Sequence, residues 1–206
     1  MQTSQPGQHR LPLTKDAIVD ASLRVVESEG IASLSMRRVA DELGVAPMSL
    51  YRHVGDRRDL LIAMLDVVAL AIERPGSGEP RAELREILAG LHSAFQRHDW
   101  VVQLLTVDGL ASVHIMPLMN QIFDALARSG LQPEAALKAW QLLFEYLIGE
   151  SMMTHTRGTT QAQEVFRATD PDELPALAPL KSFKGRRKVQ DDFEANLDLL
   201  LDALLP

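Results

Sequence analysis

Side chains suited to binding a DNA duplex are concentrated between residues 35 and 58. Arginine can bond guanine edges, serine and tyrosine can bond phosphates, and small side chains permit close approach. This segment holds five arginines against three acidic residues, a local charge of +2 in a chain whose formal charge is −7. The candidate DNA-contacting residues here are Ser35, Arg37, Arg38, Ala46, Pro47, Met48, Ser49, Tyr51, Arg52 and His53.

Two short helices joined by a tight turn would present these side chains. Apolar residues at helical spacing predict a first helix over about 35–43, with the Ser35 hydroxyl as its N-cap. Gly44 stands where helices commonly end in a left-handed residue, and Pro47 suits the first turn of a second helix over about 46–53. This pattern is typical of a helix-turn-helix unit, whose second helix enters the DNA major groove.

The packing of this unit is predicted from five apolar residues that could hold the two helices at a fixed crossing: Val39, Leu43, Val45, Leu50 and Val54. The alternative is an ordinary helical hairpin with a solvated polar face, because helix-turn-helix spacing by itself has many false positives. The pattern alone leaves both interpretations open.

The run from Thr14 to about Glu73 resembles the N-terminal domain of the tetracycline-repressor (TetR) family of bacterial transcriptional regulators. The matching signature is a first helix ending in Glu29-Gly30, followed by LSMRRVADELGVAPMSLYRHVGDRRDLL; the block Ser49–Val54 is similar to the recognition helix of the family. The resemblance implies an all-α fold, in which a linking fourth helix joins a three-helix DNA-binding head to a larger helical ligand-binding and dimerisation domain.

Composition divides the chain into three parts, of which the first, at 1–13, is typical of a flexible tail. The resemblance implies that 14–74 is a helix-turn-helix DNA-binding domain and that 75–206 is a helical ligand-binding and dimerisation domain. The clearest break is the PGSGEP segment that begins at Pro75. Residues 1–74 carry nine Lys/Arg and ten Asp/Glu, so most of the negative charge lies in the third part.

A fourth helix is predicted to begin at Asp56 and to carry a regular apolar stripe as far as Ile72. The unpaired N–H groups at its start, next to Arg57 and Arg58, would favour a phosphate. The resemblance implies that Arg57 grips the DNA backbone and that tilting of this helix transmits ligand binding to the head. A solvated charge pair is the alternative for the two arginines.

Helical patterns continue from Pro80 to about residue 155 and over about 188–205, with a poorly structured stretch at about 157–185 and no strand pattern. The last two long helices are apolar on more than one face, which requires a second packing partner. The resemblance implies a homodimer formed through these two helices. A two-fold dimer would present two heads to a near-palindromic site on double-stranded operator DNA.

Bulky or adaptable apolar residues on the middle helices are candidates for a ligand pocket, although ordinary core packing is the alternative for each of them. Such a lining would suit an uncharged or cationic lipophilic effector. Polar groups that could orient it are His114, Asn120, Gln141, Glu145 and His155. The candidate lining residues are Trp100, Leu104, His114, Met116, Met119, Phe123, Trp140, Phe144 and Met152.

Catalytic and metal chemistry find no support in the sequence. The chain has no cysteine, no Gly-x-Ser-x-Gly elbow, no phosphate-binding glycine loop and no His-Glu-x-x-His metal helix. We therefore predict no catalytic residue, cofactor or metal site, and a protein that is not an enzyme. No apolar run approaches the ~18 residues of a membrane span, and the N-terminus lacks an apolar signal core, which favours a cytoplasmic protein.

The function that these features predict is a sequence-specific, dimeric transcriptional repressor that a small-molecule ligand releases from its operator. One alternative is a DNA-binding activator or architectural regulator without a ligand, which a cavity-free C-terminal domain would favour. Another is an all-helical enzyme or carrier whose apparent DNA head is only scaffold.

Overall fold

A computed structural model describes residues 12–76, 78–153, 161–168, 170, 174–177 and 189–206. Every regular element in these ranges is a helix, which confirms the predicted all-α class. Short 3-10 helices cover Ile31–Ser33 and Val113–Ile115. The α-helices are α1 (Lys15–Glu29), α2 (Met36–Leu43), α3 (Pro47–Leu50), α4 (Arg57–Ala71), α5 (Pro80–Arg97), α6 (Asp99–Thr106), α7 (Met116–Arg128), α8 (Pro133–Met153), α9 (Gln161–Ala168) and α10 (Val189–Leu204).

Helix α1 closes the core of the N-terminal head against α2 and α4. Its start is fixed by the Thr14 hydroxyl, which accepts the Ala17 N–H at 3.1 Å. Ile18 and Val25 are fully or almost fully buried on this helix. The helix ends at Gly30, as predicted, where the φ of 80° would strain a side-chain-bearing residue. The proposed tail at 1–13 lies mostly outside the described residues.

Helix α4 links the head to the C-terminal half. The Asp56 carboxylate accepts the Asp59 N–H at 2.9 Å, so the predicted cap at the start of this helix is confirmed. One part of α4 packs on α1, and another packs on the turn Val113–Ile115. Leu61 and Met64 are buried, as the apolar stripe predicts.

Helix α5 lies at the centre of the C-terminal half and contacts α6, α7, α8 and α10. Its contact with α10 carries two arginine pairs: the Arg81 guanidinium lies 2.6 Å from the Asp202 carboxylate, and that of Arg85 lies 2.9 Å from Glu194. Helix α8 joins α10 through the Tyr146 hydroxyl, which donates to the Phe193 carbonyl at 3.1 Å. The C-terminal half is therefore a helical bundle built around α5.

Helix α9 lies within the stretch that the sequence predicted to be poorly structured. Its residues QAQEVFRA are mostly good helix formers, but its apolar residues are too few to form a stripe that periodicity could detect. The remainder of the 157–185 prediction falls mainly outside the described residues. None of the described helices has the length and apolar character needed to cross a membrane.

Candidate nucleic-acid interface and ligand cavity

Buried apolar residues hold α2 and α3 together, as predicted. Val39 and Leu50 are fully buried and Val54 is 4% exposed, while Leu43 and Val45 are half-buried against the same core. The five residues expected to fix the crossing of the two helices therefore all pack inward. Their packing leaves the polar residues of α2 and α3 on the outside of the head.

The ends of α2 are fixed by bonds that the sequence predicts. The Ser35 hydroxyl accepts the Arg38 N–H at 3.1 Å and caps the first turn. At the other end, Gly44 adopts φ 63° and ψ 35°, in the left-handed helical region. The Val45 N–H can then donate to the Ala40 carbonyl at 3.0 Å. The chain is thereby turned sharply from α2 into α3.

Helix α3 is shorter than predicted. The sequence suggested a helix over about 46–53, whereas the structure has Pro47–Leu50. The N–H groups of His53 and Val54 both donate to the Leu50 carbonyl, at 2.9 and 3.0 Å. Because two donors converge on one carbonyl, the regular helix ends there and the following residues continue as turns.

The candidate contact residues on α3 and its flanks are mainly exposed. Met48 is 74% and Tyr51 45% exposed. Ser49 is half-buried. The other exposed candidates are Ser35, Arg37, Ala46, Pro47, Arg52, His53 and Arg57.

Arg37 and Arg38 are neighbours on α2 with different surroundings. Arg37 is exposed and makes no ion pair with any residue that the structure describes. Arg38 is half-buried, and its guanidinium lies 2.6 Å from Glu29 and 3.0 Å from Glu42. Its hydrogen bonds to these carboxylates raise the pKa of Arg38, and the same bond lowers the pKa of Glu29. A phosphate would have to compete with two carboxylates for Arg38.

Arg57 lies at the first position of α4. Its Nε donates to the Leu34 carbonyl at 3.0 Å, which ties the start of α4 to the segment just before α2. Arg57 thus stands in the first turn of α4, where open backbone N–H groups favour an anion. Arg58 follows it, and both border a cleft of about 370 Å³ that Asp108 closes from the C-terminal half.

A largely apolar cavity of about 240 Å³ lies between α4 and the bundle. Helix α4 forms one wall through Leu65, Val68 and Ala69. The other lining residues come from Ile72, α5, α6, the turn that precedes α7, α7 and α8: Ile72, Leu91, Phe95, Val101, Leu105, Ala111, Ser112, Ile115, Met116, Leu118, Met119, Trp140 and Phe144.

Four of the predicted ligand-contacting residues line this cavity: Met116, Met119, Trp140 and Phe144. Phe123 lies behind the wall, with its ring 6.5 Å from that of Trp140. Leu104 is 1% exposed and packs in the core, and His114 is exposed on the turn. Neither is a lining residue.

The proposed polar partners of a ligand are not cavity residues either. Asn120, Gln141 and Glu145 are exposed, and the Gln141 amide donates to Glu145 at 3.1 Å. His155 lies outside the described residues. The lining residue with a hydroxyl group is Ser112, whose position on a loop carried no periodic signal in the sequence. The contribution of α4 was also missed, because its apolar stripe was explained by packing alone.

Trp100 and Met152 line a different, more open cleft of about 530 Å³. It lies between the Gly30–Ala32 turn of the head, α6 and the end of α8. These two residues therefore do not meet Trp140 and Phe144 in one site. Across the part of the chain that the structure describes, no group of three or more His, Cys, Asp or Glu side chains is placed to hold a metal ion.

Two segments of the chain match known protein families. Residues 18–64 match the family described as bacterial regulatory proteins, tetR family, and residues 73–205 match the tetracyclin repressor-like C-terminal domain. The HTH-type transcriptional repressor DrrR1 of Streptomyces coeruleorubidus is 32% identical over 160 residues, which is 76% of this chain and 57% of the relative. An HTH-type transcriptional regulator of Saccharopolyspora erythraea is 33% identical over 175 residues, covering 81% of this chain and 74% of the relative.

Solved structures are similar over almost the whole chain. The TetR family protein ActR of Streptomyces coelicolor, in complex with (S)-DNPA, superposes with a TM-score of 0.79 at 28% identity, covering 95% of this chain and 98% of ActR. ActR in complex with actinorhodin gives a TM-score of 0.78 at 27% identity, with 94% and 97% covered. The similarity thus includes both the head and the C-terminal bundle.

Proposed function

We propose that this chain, which belongs to the tetR family of bacterial regulatory proteins, is a dimeric repressor that a small molecule releases from operator DNA. The matched family segments together cover the head and the bundle. Operator DNA in a bacterium lies in the cytoplasm, and we place the function there. The effector site is the cavity of about 240 Å³ beside α4.

The main observation behind this proposal is that one helix reaches from the candidate DNA-contacting residues to the wall of the cavity. Helix α4 begins at Arg57, beside the candidate DNA-contacting residues, and its later turns form a cavity wall through Leu65, Val68 and Ala69. A ligand pressing on that wall acts on the same rigid element that carries Arg57. Binding can therefore favour a different placement of the head, provided that the ligand binds the two placements with different affinity.

A second copy of the chain is the proposed partner for the outer faces of α8 and α10. Leu142 and Leu199 are 49% and 68% exposed, and Leu137 is 58% exposed. Tyr146 of α8 packs inward, with its ring stacked 5.6 Å from that of Phe193. The exposed leucines supply apolar area that a two-fold packing of the two helices would bury.

The two alternative functions are less well supported. A ligand-free activator or architectural protein was expected to have a cavity-free C-terminal domain, whereas the described bundle contains the α4 cavity. An enzyme or carrier with a scaffold head gives no reason for Met48 and Tyr51 to be exposed beside Arg52. Neither alternative explains why one helix spans both regions.

The test begins with selection of an operator from random DNA by the full-length protein. Fluorescence anisotropy then measures the dissociation constants for the selected duplex and for a scrambled duplex, at several salt concentrations. We expect at least about a thousandfold preference for the selected site and a log-linear salt dependence. Arg52→Ala should lower operator affinity by about tenfold, with little change on scrambled DNA, because arginine can bond guanine edges.

Two results would contradict the proposal. Equal affinity for selected and scrambled DNA would reject a sequence-specific regulator. Operator affinity that stays constant in the presence of every compound shown to occupy the cavity would reject release by an effector, while leaving DNA recognition intact. The second measurement is made on the preformed complex, so that binding of the compound and release of DNA are observed in one sample.

A further inference from the structure

The α4 cavity is suited to an uncharged molecule. Among the described residues that line it, none has a charged side chain, and the aromatic or thioether groups of Phe95, Met119, Trp140 and Phe144 supply much of its surface. A carboxylate entering it would lose its hydration without gaining a counter-charge, which is strongly unfavourable. An apolar molecule gains free energy from the same transfer.

Two lining side chains carry a hydrogen-bonding group, the Trp140 indole N–H and the Ser112 hydroxyl, and the Ser112 hydroxyl is already engaged. The Ser112 Oγ donates to the Asp66 carboxylate at 2.6 Å and accepts the His114 N–H at 3.0 Å. A hydroxyl has a single proton to donate. A ligand acceptor that bonds Ser112 must therefore take that proton away from Asp66.

Asp66 connects this hydroxyl to the DNA-binding head. It lies on α4, one turn before the cavity residue Ala69, and it also borders a cleft with Lys15 and His53 beneath the turn that follows α3. The Ser112–Asp66 bond thus joins the loop before the Val113–Ile115 turn to helix α4, which links the head to the bundle. A ligand that displaces Asp66 unfastens α4 at this point.

We infer that the effector is an uncharged, mostly apolar molecule with a hydrogen-bond acceptor, such as a ketone oxygen, that displaces Asp66 from Ser112. The inference rests on the proposed function, and it adds the chemical class of the ligand and the residues that detect it. A carboxylate is a stronger acceptor than a ketone, so burial of the ligand's apolar surface must supply the free energy for this exchange. A purely apolar molecule of the same size fills the cavity but leaves the bond in place.

Three naphthalenes of similar size separate these requirements: 2-acetylnaphthalene is a neutral acceptor, 2-ethylnaphthalene is neutral without an acceptor, and 2-naphthoate is an anion. Equilibrium dialysis against the full chain measures their dissociation constants. We expect both neutral compounds to bind and 2-naphthoate to bind at least about tenfold more weakly. Ala111→Trp, which fills the cavity mouth, should weaken both neutral compounds to a similar degree.

Asp66→Ala tests the competition directly. Removing the carboxylate frees the Ser112 proton, so 2-acetylnaphthalene should bind about three- to tenfold more tightly while 2-ethylnaphthalene is unchanged. Adding Ser112→Ala to this variant should abolish the gain. The matched controls are Asp20→Ala, at an exposed carboxylate of α1, and Ser129→Ala, just after α7, whose hydroxyl donates to the Ala125 carbonyl.

Release of the selected operator gives the final comparison, at concentrations that saturate the cavity equally. The inference requires 2-acetylnaphthalene to release more DNA than 2-ethylnaphthalene. Any of three results would overturn the inference: 2-naphthoate binds as tightly as the ketone, Asp66→Ala changes the dissociation constants of both neutral compounds alike, or both neutral compounds release equal amounts of DNA. The proposal of ligand-controlled repression survives each of these results. If no compound binds even at millimolar concentration, the cavity is not a ligand site, and the effector part of the proposed function fails as well.

Discussion

The two adjacent arginines of α2 differ in how far their charge is already neutralised. Arg38 lies between Glu29 and Glu42, whereas Arg37 has no ion-pair partner in the described structure. Both were predicted to contact DNA. The structure favours Arg37 for a phosphate contact and gives Arg38 a further role, that of joining α1 to α2.

Arg37→Ala and Arg38→Ala should therefore fail in different ways. We expect Arg37→Ala to weaken operator binding and to reduce the salt slope by about one, since one phosphate contact is lost. Arg38→Ala should lower the thermal midpoint more than Arg37→Ala, because it leaves two carboxylates without their shared cation. Anisotropy titrations and thermal denaturation of both variants make the comparison. An equal loss of salt slope in the two variants would show that Arg38 binds phosphate despite its carboxylates.

Glu83 is a buried carboxylate that joins three segments. It is 3% exposed, accepts the Gln121 amide at 2.6 Å, pairs with Arg128 and accepts the Gly78 N–H at 3.3 Å. Burial alone would raise the pKa of Glu83, but the hydrogen bonds from Gln121 and Arg128 outweigh it and lower the pKa below 4.5. The folded protein therefore holds the ionised form more strongly than the unfolded chain does.

Glu83 should make the free energy of unfolding depend on pH. Because its pKa is depressed in the folded state, its contribution is fully present well above pH 4.5 and is lost as the pH falls through the folded pKa. We expect Glu83→Gln to be less stable than the parent at pH 7, and the difference to shrink below pH 4.5. Urea denaturation between pH 7 and pH 3 measures this. Glu86→Gln, at an exposed glutamate of the same helix, should show no such convergence.

Two glycine-to-alanine substitutions test the turn between α2 and α3. Gly44→Ala changes the turn itself, and Gly90→Ala is the control inside a regular helix. Gly44 has φ 63°, where alanine is strained by about 1–2 kcal/mol. Gly90 lies inside α5, and a Cβ there would meet no atom within 4 Å. We expect Gly44→Ala to destabilise the protein and weaken operator binding, and Gly90→Ala to stabilise it by about 0.5–1 kcal/mol. Denaturation and anisotropy report both effects; a stable, DNA-binding Gly44→Ala protein would contradict the role of this turn.

The elements that could be predicted from sequence are those whose ends are fixed locally. Ser35, Gly44 and Asp56 each mark a helix end through a bond or a backbone angle of their own, and the structure places those ends as predicted. The end of α3 was wrong by about three residues, because it depends on two N–H groups converging on Leu50. Helix α9 was missed because it lacks an apolar stripe.

The cavity was harder to predict because it is a property of packed elements. Periodicity identified Met119 and Trp140 as apolar, but the same pattern describes a core residue such as Leu104. The wall supplied by α4 follows from the angle at which the head meets the bundle, which no local pattern encodes. For the same reason Trp100 and Met152 were grouped with the wrong cavity.

Dimerisation would connect these local features to recognition of an operator. One head contacts a few base pairs, whereas a two-fold dimer places two heads roughly 34–36 Å apart, or a multiple of this, on successive major grooves. The spacing of the heads is then set by how two bundles pack. A change at the proposed α8–α10 interface should consequently affect DNA binding without touching any DNA-contacting residue.

Leu142→Glu and Leu199→Glu test that dependence. Each places a carboxylate where an exposed leucine would be buried against the second copy, so we expect the dimer dissociation constant to rise by at least about tenfold in sedimentation velocity. Operator affinity should fall with it and recover as protein concentration is raised, because association restores the pair of heads. Leu70→Glu, at a 67% exposed leucine of α4, should leave the dimer intact. If both variants dimerise as the parent does, the two-fold contact lies elsewhere, and a different element sets the distance between the heads.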